Sequence, residues 1–292
     1  MADMHKRWIQ WVPFLFVVLW STGFIGAKYA LPYIEPFNLL LIRTLLTLAT
    51  FAVLALLLRA KWPSRTEALH QMLSGFLVHA CYLGGVFAAI KWQMPAGVTA
   101  LLMGLQPLLT ALMSWQWLGE SLRPRQWIGL LVGLVGVVLV LLSGQKGGQF
   151  DVNLASMTAA ALALLGISVG TLYQKRFGAG VNLFTGSFFQ YLSTALAMAL
   201  LSFFFETGTV SWQPQLIGAL LWMVFGLSVS AILLLMLMIR EGEAARVASY
   251  FYLVPPLTAI EAWLLFDEKL SLAGIGAIVL TVFGIYLVLR RN

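Results

Sequence analysis

The stretch LQPLLTALMSW, residues 105–115, is repeated 148 positions later as LVPPLTAIEAW, residues 253–263, with six of eleven letters unchanged. The same offset pairs residues outside this stretch, namely Ala96 with Ala244, Ala100 with Ala248, Glu120 with Glu268 and Gly136 with Gly284. An offset of 147 pairs Ser21 with Ser168, Gly23 with Gly170, Lys28 with Lys175 and Phe37 with Phe184. The chain is therefore predicted to contain two copies of one unit.

The composition places the protein in a membrane. Its 292 residues are 61% hydrophobic and only 10% charged, with a mean hydropathy of +0.90, whereas soluble domains carry about 25% charged residues. The formal net charge is +7, but the basic residues stand in short runs between apolar segments rather than in one patch. We therefore expect a lipid bilayer around the protein and no nucleic-acid partner.

Ten apolar segments are candidates to cross the membrane, because the hydrocarbon core needs about 20 apolar residues in a helix. They are residues 11–31, 37–58, 69–90, 96–117, 127–143, 154–174, 184–205, 215–239, 245–266 and 271–289. Helix is the expected conformation, since every backbone N–H and C=O must find a partner within a segment that lipid surrounds. The sequence predicts an all-α membrane protein with ten transmembrane helices.

The basic residues set the predicted orientation. With a cytoplasmic N-terminus, thirteen of the 18 Lys and Arg residues fall in inner loops, four fall in outer loops, and Arg43 falls within a span. An excess of cations in cytoplasmic loops is the usual pattern of multi-pass membrane proteins. Both termini are therefore predicted to be cytoplasmic.

Each unit contains five spans, and because five is odd the second copy enters the membrane from the opposite side. We predict residues 1–10 as a cytoplasmic N-terminal segment, 11–143 as the first five-helix repeat, 144–153 as an extracytoplasmic linker and 154–292 as the second, inverted five-helix repeat. Inverted repeats are associated with transporters that bind substrate near the bilayer midplane. This arrangement favours alternating access to a midplane cavity, and duplication for packing alone is the alternative.

Motifs for nucleotide-driven or hydrolytic chemistry are missing from the sequence. There is no GxxxxGK[ST] phosphate loop, no HExxH zinc motif and no GxSxG nucleophile turn. We expect no catalytic residues, no metal and no cofactor. A secondary transporter is the favoured class, and a channel or a membrane-embedded enzyme is the alternative.

Polar and aromatic residues inside the predicted spans are the candidates for substrate binding. Trp20 and Ser21 lie near the middle of helix one beside Gly23, where a tryptophan suits the wall of a cavity for apolar or cationic groups. In helix three, His79 and Tyr82 are three residues apart and share a face. An interhelical hydrogen bond from His79 is the alternative to a place in the cavity wall.

Helix four carries a semi-polar stripe in its first half. Thr99, Met103, Gln106 and Thr110 recur at helical spacing, and Pro107 removes a backbone hydrogen bond at the same level. Met103 and Gln106 are therefore predicted to bind substrate, with Gln106 as the strongest single candidate.

Helix nine is the counterpart of helix four in the second half. Ser249 and Tyr252 are predicted to bind substrate, and Pro255 and Pro256 replace a single proline of the first copy. We expect the helices to rock or bend around Pro107 and this proline pair as the cavity changes sides.

Two charged residues stand inside predicted spans, Arg43 in helix two and Glu261 in helix nine. A charge in hydrocarbon costs about 2.5–3.5 kcal/mol on insertion scales, so such groups face a cavity or a partner. Pairing of Arg43 with Glu261 is one hypothesis, and extension of Arg43 to the outer interface is another. Both then act as packing or anchoring charges; the functional alternative is that Glu261 titrates or senses substrate during gating.

Small residues form a stripe in the fifth helix of each copy. Gly129, Gly133 and Gly136 in the first copy correspond to Ala277, Thr281 and Gly284 in the second. Such stripes let two helix backbones approach closely. We interpret both as scaffold packing, with a dimer contact as the alternative.

Several motifs resemble the drug/metabolite transporter superfamily, in its EamA-like branch. They are LWSTGFIGAKYA (19–30), PFNLLLIR (36–43), LQPLLTA (105–111), WLGESL (117–122), LVPPLTA (253–259) and LFDEKL (265–270). The resemblance implies ten helices, both termini inside, and a central cavity lined by helices one, three, four, six, eight and nine. On the family pattern the recurring positions are Trp20, Lys28, Arg43, Pro107, Glu120, Pro255 and Glu268, while Ser21 departs from the more common glycine.

Within that branch, the LWST start is similar to bacterial exporters of aromatic and other neutral amino acids. The resemblance implies a bacterial inner membrane location and outward movement of a small metabolite, with neutral or aromatic amino acids as the expected substrates. Efflux of organic cations or drugs by the same fold is the alternative. A monomer is expected, with a homodimer as the alternative.

Overall fold

The structure is a computed structural model that describes residues 2–118, 123–146, 153–178, 180–231, 234, 253–268 and 272–289. This part of the chain is helical, and its β contact is a single isolated pairing of Ile34 with Val210. The helices are α1 Ala2–Ala30, α2 Pro36–Leu57, α3 Arg65–Lys91, α4 Ala96–Met103, α5 Gln106–Leu118, α6 Pro124–Lys146, α7 Leu154–Phe177, α8 Leu183–Phe205, α9 Pro214–Ala231, α10 Val254–Phe266 and α11 Leu272–Leu289.

Within the described residues, seven segments are long and apolar enough to cross a membrane. They are α1 from Trp11 onward, α2, α3, the α4–α5 segment as far as Met113, α7, α8 and α9, while α10 is a shorter apolar helix. This confirms the all-helical membrane protein. The count of ten transmembrane helices stays a prediction, because part of the chain lies outside the described residues.

Local sequence explains where several helices begin. Ser64 and Glu67 form a capping box at the start of α3, in which each side chain satisfies a backbone N–H that the helix cannot. The side chain of Asn153 accepts from the Ser156 N–H and starts α7 in the same way. Pro36 stands in the first turn of α2, where its missing N–H costs nothing.

The predicted bend in helix four corresponds to a break between α4 and α5. Met103 ends α4 and Gln106 begins α5, and Pro107 has no N–H to continue the helical ladder across the junction. Pro255 and Pro256 likewise lie in the first turn of α10, where proline is tolerated, and the residues directly before Leu253 lie outside the described part of the chain. The proline pair therefore does not kink the described part of that helix.

The second helices of the two predicted repeats, α2 and α8, run antiparallel and are joined at both ends. At one end, the Glu206 carboxylate accepts the backbone N–H groups of Phe37 and Asn38, both at 2.7 Å. At the other, the Thr185 hydroxyl donates to the Lys61 carbonyl at 2.9 Å. We call these two ends of the molecule the Glu206 end and the Lys61 end.

The fourth helices of the two predicted repeats are also antiparallel. A Cβ added at Gly97 in α4 would lie 3.2 Å from the Ala259 Cα in α10, and one added at Gly104 would lie 3.1 Å from the Pro255 ring. Residue numbers thus rise along one helix as they fall along the other. Glycine at both positions lets the two backbones approach.

The α6 and α11 helices pack through the small residues that the sequence singled out. A Cβ added at Gly284 would lie 2.3 Å from the Gly133 nitrogen and 2.7 Å from the Gly129 carbonyl oxygen. No real side chain tolerates such distances, so the two backbones meet because these residues are glycine. This glycine seam, Gly129, Gly133 and Gly284, confirms the scaffold interpretation of the stripe.

Candidate functional site

A cavity of about 130 Å³ lies at the centre of the helix bundle. Six helices contribute to its wall: α1, α2 and α3 from the first predicted repeat, and α7, α8 and α9 from the second. The described residues that line it are Trp20, Gly23, Phe24, Arg43, Val78, His79, Tyr82, Leu83, Val86, Phe87, Ile167, Tyr191, Leu227 and Ser228. Both halves therefore form a single chamber.

Most of the wall is apolar, and aromatic rings dominate it. Trp20 packs against Phe16 with ring centroids 5.3 Å apart, which holds the indole at the cavity surface. Phe24 and Phe87 add two further rings that are almost completely buried. Such a surface suits the apolar or aromatic part of a small molecule.

A histidine and a tyrosine form one polar patch of the wall. The His79 ring stacks on Tyr191 with centroids 4.6 Å apart, and its Nε2 lies 3.2 Å from Gln190 Oε1. Gln190 Nε2 in turn donates to Gln71 Oε1 at 2.6 Å. With the glutamine amide in this orientation, His79 donates from Nε2, and its Nδ1 is left as an acceptor when the ring is neutral.

Arg43 supplies the positive charge of the cavity. Its guanidinium donates from Nε and Nη2 to the Ser228 hydroxyl at 3.4 and 3.2 Å. The side chain is only 6% exposed. These contacts hold the head group of Arg43 against α9 rather than letting it extend to a membrane interface.

The structure brings some of the predicted substrate-binding residues together. Trp20, His79 and Tyr82 all line the cavity. Ser249 and Tyr252 lie outside the described residues.

Three other candidates do not reach the described cavity wall. Ser21 is completely buried and Met103 is 7% exposed within the core. The Gln106 amide donates to Thr171 on α7 at 3.1 Å. The α4–α5 break changes the face on which Gln106 lies, since the prediction assumed one uninterrupted helix from Thr99 to Thr110. A part for these residues in substrate binding stays a prediction.

The hypothesised pairing of Arg43 with Glu261 is not formed. The Glu261 carboxylate instead accepts the Ser21 hydroxyl at 2.7 Å, in the contact between α1 and α10, and its second oxygen is buried without a hydrogen bond. The ion pair found among the described residues joins Lys28 to Glu268. The two intramembrane charges therefore occupy different environments.

The cavity is lined by a different set of helices than the resemblance implies. Helices two and seven, here α2 and α8, supply Arg43 and Tyr191, whereas the described parts of helices four and nine supply none of the lining residues. Tyr191 was missed, although Gln190 and Tyr191 stand together in mid-span. That is the same kind of signal that selected Trp20.

Polar contacts around Glu268 join the helices at the Glu206 end of the bundle. Its carboxylate pairs with Lys28 at the end of α1 and accepts from the backbone N–H groups of Ala96 and Gly97, at 3.2 and 3.5 Å. The Lys28 ammonium also lies 4.7 Å from the centre of the Phe266 ring. A carboxylate at the start of α4 is favoured by the unpaired N–H groups there.

Comparison with known proteins identifies a family. The model of the EamA-like transporter family matches residues 6–142 and again residues 154–290. The uncharacterized transporter YvbV of Bacillus subtilis is 26% identical over 94% of this chain and 90% of its own length. The uncharacterized inner membrane transporter YedA of Escherichia coli K12 is 24% identical over 94% of this chain and 88% of its own length.

A third relative has a more specific name. A protein of Escherichia coli K12 named a probable amino-acid metabolite efflux pump is 25% identical over 94% of this chain and 92% of its own length. One crystal structure superposes with a TM-score of 0.68 and 24% identity, covering 96% of each chain. That likeness concerns the fold.

Proposed function

The chain belongs to the EamA-like transporter family, and we propose that it is a secondary transporter that exports neutral or aromatic amino acids by alternating access. The observation that carries the proposal is the central cavity, which has aromatic walls and a few polar groups and draws its lining from both family-matched segments. The name of the probable amino-acid metabolite efflux pump of Escherichia coli supports amino-acid metabolites as substrates.

The proposal includes two inverted five-helix repeats in a bacterial inner membrane, with both termini in the cytoplasm. The antiparallel pairs α2–α8 and α4–α10 support the inversion, because equivalent helices of inverted copies must run in opposite directions. The bias of basic residues supports the orientation. The name of YedA, an inner membrane transporter, supports the location.

Alternating access needs one end of the cavity to close as the other opens. The Lys28–Glu268 ion pair, which joins the end of α1 to the residues after α10 at the Glu206 end, supports this end as the closed one. In the sequence repeat, Lys175 is the counterpart of Lys28, and Glu120 is the counterpart of Glu268. Lys175 is exposed on α7, and Glu120 lies outside the described residues. In the opposite state, Glu120 and Lys175 would make the same tie at the Lys61 end.

Counterflow in proteoliposomes tests the proposed activity. Liposomes that contain only the purified protein are loaded with unlabelled phenylalanine, and labelled phenylalanine is added outside. Saturable accumulation that empty liposomes do not show is expected. An amino-acid panel that gives no counterflow, alongside counterflow of a lipophilic cation, would favour the cation-efflux alternative.

Thiol cross-linking tests the alternating ends. In a Cys81→Ser background, Lys28→Cys with Glu268→Cys is joined by a short bifunctional thiol reagent that a reductant can cleave. Transport is expected to stop and to recover on reduction, since the Glu206 end could no longer open. The control pair, Lys61→Cys with Thr185→Cys, joins α2 to α8, which are already tied at both ends, and should keep its transport when cross-linked.

A further inference from the structure

Arg43 is a buried cation whose hydrogen-bond partner is neutral. It is 6% exposed, and both of its hydrogen bonds go to one hydroxyl oxygen, that of Ser228. Among the residues that the structure describes, no carboxylate pairs with it; the one ion pair found there belongs to Lys28 and Glu268. A guanidinium has five N–H donors in a planar fork, so most of its donor capacity is left for another partner.

A charge removed from water is stable only when something compensates it. Buried ionic groups in proteins are paired, and those inside a membrane face a partner or a water-filled cavity. The Arg43 side chain forms part of the cavity wall, so the cavity is where a compensating anion can reach it. The planar guanidinium of an arginine can donate two parallel hydrogen bonds to the two oxygens of a carboxylate.

We propose that Arg43 binds the carboxylate of the transported molecule, and that the cargo is a carboxylate with an apolar or aromatic body rather than an organic cation. This deepens the proposed function and rests on it. The rest of the wall fits such a molecule, because Trp20, Phe24 and Leu227 give the same cavity an apolar surface. A lipophilic cation would instead meet the like charge of Arg43.

The other polar patch of the cavity complements an amino acid. His79 Nε2 donates to Gln190, which leaves Nδ1 of the neutral ring as an acceptor. An α-ammonium group has three donors and no acceptor, so it suits such a nitrogen. Arg43 on α2 and His79 on α3 both line the same chamber, and together they offer one site for each charge of a zwitterion.

A purely structural role for Arg43 would be to tie α2 to α9 through Ser228. Ser228→Ala removes that tie and leaves the guanidinium in the cavity. We expect this variant to keep the preference for carboxylates. Arg43→Gln removes the charge and is expected to lose that preference, while Arg43→Lys, which keeps a charge without the planar fork, should recover part of it.

The test uses purified full-length protein in liposomes and four ligands of similar shape. They are phenylalanine, phenylalanine amide, phenethylamine and 3-phenylpropionate, added as competitors of labelled phenylalanine counterflow. Loss of a charge-assisted bidentate contact should weaken competition by the amide and the amine at least about tenfold relative to phenylalanine. 3-Phenylpropionate, which keeps the carboxylate, should remain a competitor.

The variants sharpen the same test. In Arg43→Gln the KM for phenylalanine should rise at least about tenfold, and the acid and its amide should compete equally. Arg65→Gln, which removes an exposed arginine at the start of α3, is the matched control and should behave as the parent protein does. Monodisperse elution and unchanged thermal stability show that each variant is folded. The competitor panel on the parent protein tests the carboxylate preference even where a variant fails to fold.

The outcomes separate this inference from the proposed function. Amino-acid counterflow with equal competition by the amide would overturn the role of Arg43 and leave amino-acid transport standing. Arg43-dependent transport of 3-phenylpropionate without amino-acid transport would support the carboxylate anchor and overturn the amino-acid proposal. Transport of phenethylamine alone would overturn both.

Discussion

The central cavity and the glycine seam both combine helices from the two family-matched segments, yet one leaves space between the helices and the other leaves none. At the seam, the α6 and α11 backbones touch, and a Cβ on Gly284 would lie 2.3 Å from the Gly133 nitrogen. At the cavity, six helices stand far enough apart to leave about 130 Å³. There a Cβ on Gly23 would meet its nearest neighbour, Leu227, at an ordinary 3.7 Å.

The difference shows how a bundle without a hydrophobic driving force in lipid can still hold a chamber open. Helices in a membrane associate through close van der Waals packing and hydrogen bonds. The seam supplies the close packing, and the ties at the two ends of α2 and α8 supply the hydrogen bonds. Residues at the seam should therefore determine whether the protein folds, and residues at the cavity should determine what it moves.

The largest effect is expected at the seam, from Gly284→Leu. Its side chain must displace the Gly133 backbone, and overpacking of this kind costs about 1–3 kcal/mol or more. The measurement is the yield of monodisperse protein and its melting temperature in detergent, both of which should fall sharply. Gly276→Leu is the matched control in the same helix, because a Cβ there meets nothing within 4 Å.

A Gly284→Leu protein as stable as the Gly276→Leu control would break the comparison. It would mean that α6 and α11 can separate at little cost, and the seam would lose its role as a scaffold. A loss in both variants would point instead to a general intolerance of α11 to leucine.

The second prediction places the same substitution in the cavity. Gly23→Leu adds four carbon atoms to a chamber of about 130 Å³, and the first of them meets Leu227 at an ordinary contact distance. We expect a folded protein whose stability changes by less than about 1 kcal/mol, and counterflow reduced at least about tenfold, a barrier increase of ~1.4 kcal/mol. Transport near the parent level would show that substrate does not pass this part of α1.

The sequence alone predicted the seam and part of the cavity. Glycines at helical spacing have one strong consequence in lipid, close backbone packing, so Gly133 and Gly284 were interpretable without a structure. Trp20 and Tyr82 line the cavity as expected, and His79 both lines it and makes the interhelical hydrogen bond that was its alternative. Their part in substrate binding stays a prediction.

Prediction of the other cavity residues would have required the packing geometry of the helices, which the sequence alone does not specify. The face of Gln106 changed with the break after Met103, since a helical wheel holds only while each residue turns by the same angle. Arg43 and Glu261 gave the same signal of a charge in a span, yet only Arg43 reaches the cavity. Which of two such charges reaches a cavity depends on the packing of the whole bundle.

Glu261 provides the third prediction, a smaller effect in the contact between α1 and α10. Glu261→Gln keeps the acceptor for the Ser21 hydroxyl and does not touch the described cavity wall. Counterflow is expected to change less than about fivefold, or ~1 kcal/mol, with the same profile across neutral pH. A flattened pH profile in this variant would instead give Glu261 a part in proton coupling. Ser21→Ala, which removes the hydrogen bond and keeps the carboxyl group, is the control.

The smallest effect is expected at the Glu206 end, where α2 and α8 are held by hydrogen bonds instead of glycine contacts. Half-burial raises the pKa of the Glu206 carboxyl above its ordinary value, the hydrogen bonds from the Phe37 and Asn38 N–H groups oppose this, and the nearby Glu35 adds to it. The folded protein therefore holds this proton more tightly than the unfolded chain does. Stability contributed by this group falls as the pH rises through the interval from the ordinary value to the raised one.

The parent protein should accordingly lose a small part of its thermal stability as the pH rises above the ordinary titration range of a glutamate carboxyl, and Glu206→Gln should lose less over the same interval. The measurement is the difference between the two melting profiles in detergent, which cancels the groups that both proteins share. A parent protein that gains stability relative to the variant as the pH rises would show that the two N–H groups favour the charge more than burial opposes it. The Glu206 carboxylate would then make strong charge-assisted hydrogen bonds to the start of α2. The hydrogen bonds between α2 and α8 would in that case stabilise the cavity wall together with the glycine seam.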